Sequence, residues 1–253
     1  LSEAIKASLR DNEGFFLLMN KKIKRLSDLL KKEYGKKVWK ADADPLSVLI
    51  GTILSQNTSD HNSHKAFANL RYEFKNWDKV RKANVGKIAD TIRSGGLAEI
   101  KALRIKNILN QIYKENRDLN LSFLKRWRTD KIKSWLRKFK GVGDKTIACV
   151  LLFSLKRPAM PVDTHVLRVS KRLDLVPQQS DASNAETILE KIVPKNLIYE
   201  FHLNLIAHGR AVCKATNPLC QACVLLGNCE FGKKFRRSGY RRLPDKTMMP
   251  SMP

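Results

Sequence analysis

At 253 residues the chain has room for one large domain or two modest ones, with ample apolar material for a core. Its 49 Lys and Arg against 24 Asp and Glu leave a formal charge of +25, which favours a polyanion such as nucleic acid as partner. No apolar run reaches membrane-spanning length, Phe15-Phe16-Leu17-Leu18-Met19 is too short for a secretory segment, and no long basic amphipathic helix stands apart from a core-building pattern, so the expectation is an intracellular protein that does not act at a membrane.

In chain order, Ile23, Leu26, Leu29 and Leu30 form an apolar stripe that predicts a docked helix over 20–33. Asp44-Pro45 is a helix start, an N-cap followed by proline at the first helical position, and Leu46, Leu49, Ile50, Ile53 and Leu54 then follow at helical spacing. That helix ends at the polar run Ser55-Gln56-Asn57-Thr58-Ser59-Asp60. The run either presents amide and hydroxyl groups at a fixed place or simply caps the next helix, that of Ala66, Phe67 and Leu70, through Ser59 or Asp60. Further helices are predicted over 85–93 and 100–113. Between them Gly95-Gly96-Leu97 breaks the chain and leaves Leu97 exposed; an exposed leucine needs no function, yet beside DNA an apolar tip can wedge between bases. The polar and basic segment 114–129, with Leu119, Leu121, Phe123, Leu124 and Trp127 interspersed, reads as a connector with a short helix.

The most informative stretch follows. Ile132, Trp135, Leu136 and Phe139 recur at i, i+3, i+4 and i+7, and the helix they define stops at Lys140-Gly141-Val142-Gly143. A second helix starts with Asp144 as its expected N-cap and Ile147, Ala148, Leu151 and Leu152 on its buried side. Two glycines around one apolar residue permit a tight turn whose N–H groups point outward at a helix start. Such a turn binds phosphate by geometry and partial charge without reading sequence, and it also serves as an ordinary helix-helix connection. Lys145 stands just past it, and Asp163 eighteen residues later in Val162-Asp163-Thr164-His165, after a loop through Pro158 and Pro161. Val166, Val169 and Leu173 mark the next helix. Ser183 and Glu186 read as a capping box for the helix of Ile188, Leu189, Ile192 and Val193, which Pro194 ends. A last helix over 197–209 runs into a group of cysteines. Nothing alternates at period two, so the fold class is all-α. The segment after Phe231, with Lys233, Lys234, Arg236, Arg237, Arg241 and Arg242, is a basic tail expected to fray beyond Arg242.

Of the five cysteines, Cys149 lies on the apolar side of its helix and reads as a small core residue. The others, Cys213, Cys220, Cys223 and Cys229, fit C-x6-C-x2-C-x5-C, which in a reducing compartment argues for metal over disulfides. Zinc most often takes two close C-x2-C pairs, and only one pair here is that close. The wider gaps suit a [4Fe-4S] cube, with zinc the alternative. Arg210, Lys214 and Lys233 would give this site a basic surround.

Three separated motifs now agree in order and spacing: the Ser55–Asp60 turn, Gly141-Val142-Gly143-Asp144-Lys145-Thr146 with Val162-Asp163-Thr164-His165-Val166, and the four cysteines preceded by His208-Gly209-Arg210. Over about residues 20–230 the chain resembles the endonuclease III family of the helix-hairpin-helix DNA glycosylases. The resemblance implies two helical domains with a DNA cleft between them. One is a six-helix barrel over 39–157; the other is a discontinuous [4Fe-4S] domain from 1–38 and 158–231, leaving 232–253 as the tail. It implies a monomer in the cytoplasm or nucleoid that acts on duplex DNA holding a damaged base or an abasic site. The four cysteines would hold the cluster. Gln56 or Asn57 would fill the gap left by an extruded base and Leu97 would wedge the opposite strand, while Lys140, Gly141, Val142, Gly143, Thr164 and His165 would line the DNA.

Lys145 stands where the family's bifunctional members keep their nucleophile, and Asp163 where it keeps its carboxylate. A neutral amine attacks C1′ of a flipped nucleotide and leaves a Schiff base, which acidifies the 2′ proton and permits β-elimination; burial beside a positive helix end favours the neutral amine. Asp163 also reads as an N-cap. Two departures stand out: Lys140 replaces the usual proline before Gly141, and the connector before Trp135 is longer than in the bacterial enzymes. The expected activity is a bifunctional glycosylase and AP lyase on oxidised pyrimidines. The alternatives are a mismatch glycosylase for thymine, uracil or adenine, which Lys145 argues against, and a non-catalytic DNA-binding module with iron-sulfur or zinc.

Overall fold

The structure is a computed structural model and describes residues 12–40 and 43–237. Among these residues every regular element is helical, and the chain forms two compact units, one from residues 39–161 and one from the segments on either side of it. The later boundary falls at Pro161 and not at 157, because Ala159 packs into the core of the 39–161 unit.

The first described helix is α1 (Asn12–Tyr34), longer than the apolar stripe alone predicts, and the chain passes after Val38 into the 39–161 unit. There α2 (Pro45–Leu54) is capped by Asp44, whose carboxylate accepts from the Ser47 N–H at 2.8 Å, and it buries Leu46, Leu49, Ile50, Ile53 and Leu54. Ser59, one of the two candidate caps, starts α3 (Asp60–Phe74). Two short helices follow, α4 (Trp77–Lys82) and α5 (Val85–Thr91), and a single 3₁₀ turn, Arg93–Gly95, leads to α6 (Ala98–Asn116). The connector holds a 3₁₀ helix at Ser122–Arg126, after which α7 (Thr129–Arg137) ends at the hairpin and α8 (Asp144–Ser154) leaves it.

The two helices at the centre of this unit are α2 and α8, packed along each other. Thr146 to Leu152 are all buried, so α8 is covered on every side, the signature of a core helix. Trp39 reaches its C-terminal end, donating from Nε1 to the Leu152 carbonyl at 2.8 Å. Trp135 on α7 anchors an aromatic cluster: its ring meets Phe139 edge-on at 4.9 Å and Phe123 at 5.7 Å, and its Nε1 donates to Glu115 Oε2 at 2.8 Å. The long connector is therefore fastened to the helix before the hairpin. One cap differs from expectation. Gly143, extended, is the N-cap of α8; Asp144 is already helical and pairs with Arg137 across the hairpin.

Past Pro161 the chain rejoins the unit that α1 began. Asp163 caps α9 (Thr164–Arg172), and α10 (Ala182–Ile192) and α11 (Ile198–Ala211) follow. The cap of α10 is Asp181, which accepts from the Asn184 N–H at 2.8 Å; Ser183 already lies in the first turn, so the Ser183–Glu186 capping box does not form. The stripe Ile23, Leu26 and Leu30 of α1 is buried where α1 packs against α11, and α11 also packs against α9. A last helix, α12 (Glu230–Arg237), runs through the point at which the tail was expected to begin, since 232–237 continue the helix. The tail's Arg241 and Arg242 lie outside the described residues.

Candidate functional site

In the 39–161 unit the hairpin, the polar turn after α2 and the start of α6 form one hydrogen-bonded group. Gly141 adopts φ +85, a left-handed conformation that side chains disfavour, and a Cβ there would stand 2.2 Å from Arg104 Nε. The turn therefore needs glycine for its backbone and for the arginine packed against it. Val142 does not face outward as a DNA-lining residue: its side chain is buried and its N–H is spent on the Phe139 carbonyl at 3.0 Å. Lys140, Gly141 and Gly143 remain exposed. Lys145, half-buried, is the second residue of α8, within the turn where backbone N–H groups lack helical partners and the helix dipole is positive.

Gln56 and Asn57, undistinguished by the sequence, differ in the structure. Gln56 is half-buried; its Oε1 accepts from Arg104 Nη1 at 2.6 Å and its Nε2 donates to the Gly141 carbonyl at 3.1 Å. Asn57 is exposed with φ 52. Leu97 is also left-handed, φ 50 and ψ 39, and 52% exposed. Left-handed non-glycine residues cost of order 1 kcal/mol or more, and such strain gathers at functional sites. Beneath both turns lies Lys101, 1% exposed, whose Nζ donates to the carbonyls of Leu54 at 2.8 Å and Gly95 at 2.7 Å. Burial, and secondarily the Arg104 charge, pushes its pKa down.

The sequence reading missed both Lys101 and Arg104. Lys101 did carry a signal: it sits on the apolar stripe Ala98, Lys101, Ile105, Ile108, Ile112 of α6, where a lysine calls for a buried partner.

In the other unit, Asp163 Oδ1 accepts from the Val166 N–H at 2.7 Å, as an N-cap does. Thr164 is exposed and His165 half-buried. His165 Nδ1 lies 3.1 Å from Arg168 Nη2, and Arg168 donates onward to the carbonyls of Gly209 at 2.9 Å and Cys213 at 2.9 Å. Gly209 is required for this approach, because a Cβ there would meet His165 Cβ at 2.9 Å. One turn further along α9, Arg172 Nη1 donates to Cys213 Sγ at 3.3 Å and to the Lys214 carbonyl at 2.7 Å. Neither arginine was distinguished in the sequence from the many other cations.

Cys213, Cys220, Cys223 and Cys229 line one cavity of about 20 Å³, whose other walls include Val169, Leu173, Leu225 and Phe231. The Gly232 N–H points at Cys229 Sγ at 3.3 Å. His208 lies between Tyr34 Oη, 3.0 Å from its Nδ1, and Cys223 Sγ, 3.5 Å from its Nε2. Burial pushes the Cys223 thiol up to about 12, raises Cys220 and Cys229, and brings His208 down to about 4. Four sulfurs with N–H groups aimed at them form a soft donor set, and a metal centre binding there has to displace their protons. Among the described residues, no group of three or more His, Cys, Asp or Glu stands ready to hold a single metal ion.

Residues 50–195 match the family described as HhH-GPD superfamily base excision DNA repair protein. The chain is 34% identical to endonuclease III of Thermotoga maritima over 81% of its own length and 91% of that protein's. It is 41% identical to a putative DNA glycosylase of Arabidopsis thaliana over 65% of its own length, but spans only 56% of that relative. A solved structure of a trapped endonuclease III–DNA covalent intermediate matches the fold with a TM-score of 0.73 at 29% identity, covering 86% of this chain and 99% of that one. Fold and hairpin together define a helix-hairpin-helix protein of base excision DNA repair. Within that superfamily the chain belongs to the endonuclease III family of DNA glycosylases and AP lyases.

Proposed function

We propose that this protein is a bifunctional DNA glycosylase and AP lyase that removes oxidised pyrimidines of the thymine-glycol type from duplex DNA. The observation that carries the reading is Lys145, half-buried at the second position of α8 directly behind the Gly141–Gly143 turn. A turn that binds phosphate without reading bases, followed at once by an amine, brings a nucleophile to the sugar of whichever nucleotide is extruded.

In the proposed reaction Lys145 Nζ attacks C1′, a C–N bond forms and the glycosidic bond breaks, the base leaving with the electron pair and taking up a proton. The bound amine loses a proton, the C1′–O4′ bond breaks with the ring oxygen taking up a proton, and the nitrogen lone pair forms the C=N bond of the ring-opened Schiff base. Removal of the 2′ proton then expels the 3′ phosphate as the C3′–O bond breaks, and water releases Lys145. Asp163 is the carboxylate assigned to these proton transfers. Its N-cap bond to Val166 holds one oxygen in place and leaves acceptor capacity free.

Cys213, Cys220, Cys223 and Cys229 are the residues that would hold a [4Fe-4S] cluster. Four thiols around one cavity, at the unequal spacing of C-x6-C-x2-C-x5-C, support a cluster over zinc. Such a cluster would cross-link the loop between α11 and α12 and could exchange electrons, and no step above passes through it.

The test is borohydride trapping on two duplexes, one with thymine glycol and one with an abasic site, alongside Lys145→Gln. Capture on both, abolished in the variant, is expected. Capture on the abasic duplex alone would keep the lyase and remove the pyrimidine assignment; capture on neither would overturn the bifunctional reading.

A further inference from the structure

The start of α6 makes contacts that the chemistry at Lys145 does not use. The amide of Gln56 is engaged at both ends, its oxygen by the Arg104 guanidinium at 2.6 Å and its nitrogen by the Gly141 carbonyl at 3.1 Å. Arg104 itself lies against the bare Cα of Gly141. A charge-assisted bond holding one end of an amide whose other end is also bonded leaves that side chain unavailable for other work. The neighbouring Asn57 is exposed and left-handed, with φ 52. The turn thus separates a fixed side chain from a free one.

We propose that Arg104 is a positioning residue for base extrusion: it fastens Gln56 to the hairpin so that the 55–60 turn and the phosphate-binding turn hold one register, and it leaves Asn57 as the side chain that enters the space of the displaced base. The inference rests on the duplex-DNA reading above, and it concerns placement of the nucleotide before any bond breaks. Sequence alone assigns nothing to Arg104, one of 49 cations in the chain. Arg104 is tied to both turns, by its bond to Gln56 and its packing on Gly141, and its neighbour Lys101 bonds the Leu54 carbonyl just before the 55–60 turn. Misplacement of a reacting group by about 1 Å costs up to about 100-fold in rate, so a link of this kind is read through extrusion and not through stability alone.

The experiment uses the full chain and a duplex carrying a tetrahydrofuran abasic analogue with 2-aminopurine next to it on the same strand, whose fluorescence rises when the abasic nucleotide is drawn out and that stack is broken. Arg104→Ala and Gln56→Ala are each expected to lower the extruded fraction about tenfold, within the range that misplacement allows. The double variant is expected to be no worse than either single one, and adding Asn57→Ala is expected to lower the signal further. Wild-type fluorescence in Arg104→Ala, or a double variant whose loss is the product of the single losses, would overturn the proposal. Melting by circular dichroism accompanies each variant. If Arg104→Ala melts in the assay range, Arg104→Lys carries the same comparison, with partial recovery of the signal expected and full loss counting against the idea. Borohydride capture of the wild type separates the two readings. Coupling without capture would remove the lyase and keep Arg104, whereas capture without coupling would keep the lyase and remove Arg104.

Discussion

Gly141 carries two constraints at once, a left-handed backbone and the approach of Arg104 to its Cα. Gly141→Ala should cost about 1 kcal/mol for the backbone and about 1–3 kcal/mol for the clash. Urea unfolding of Gly141→Ala alone and combined with Arg104→Ala separates the two, since the second change relieves only the clash. Lys145 is a contrasting case. It is half-buried at a helix start, where substitution should change stability by less than about 0.5 kcal/mol. Lys145→Gln is therefore expected to abolish borohydride capture while its melting midpoint and DNA affinity stay close to the parent's.

Among the helices, α6 does more than fill the core. Lys101 closes the C-terminal end of α2 and the 3₁₀ turn before Leu97 with two hydrogen bonds from a buried ammonium. Lys101→Met keeps an unbranched side chain one atom shorter and leaves the carbonyls of Leu54 and Gly95 without the ammonium donor. Unpaired buried groups cost about 1–3 kcal/mol each, so with two of them this variant should be destabilised by about 2–6 kcal/mol in urea. Faster amide exchange over residues 94–97 than elsewhere in the 39–161 unit would locate the effect. Uniform loss across the unit would instead make Lys101 a general core residue. In the other unit α9 has a comparable place, its Arg168 and Arg172 bonding the loop that carries Cys213 while Asp163 caps its start.

For the whole molecule, a formal charge of +25 and the proposed duplex partner give a salt test. Log affinity for a duplex should fall linearly with log salt, with a slope of roughly −0.9 per phosphate neutralised. Affinity that does not change with salt would contradict a phosphate-led interface. The cysteine-lined cavity gives a second test. Purified protein should carry iron and sulfide and absorb broadly in the visible, and removal of the iron should speed amide exchange over 213–237 while leaving the core of 39–161 protected. Bound zinc and a colourless protein would replace the cluster with the alternative that the spacing left open.

Much of the architecture was legible because it depends on local patterns. The stripes of α2, α7 and α9, the caps Asp44 and Asp163, and the spacing of the four cysteines are each set by residues within one or two turns of one another. Where two local solutions compete, the pattern failed: Asp181 displaced Ser183 as a cap, and Gly143 displaced Asp144, whose carboxylate turned to Arg137. The partners of Gln56 and Arg104, and the Leu54 carbonyl bound by Lys101, were beyond any local reading, since 85 positions separate Gln56 from Gly141, 48 separate it from Arg104 and 47 separate Leu54 from Lys101. Contacts of that range depend on how α2, α6 and the hairpin pack, and packing alone distinguishes the bound Gln56 from the free Asn57.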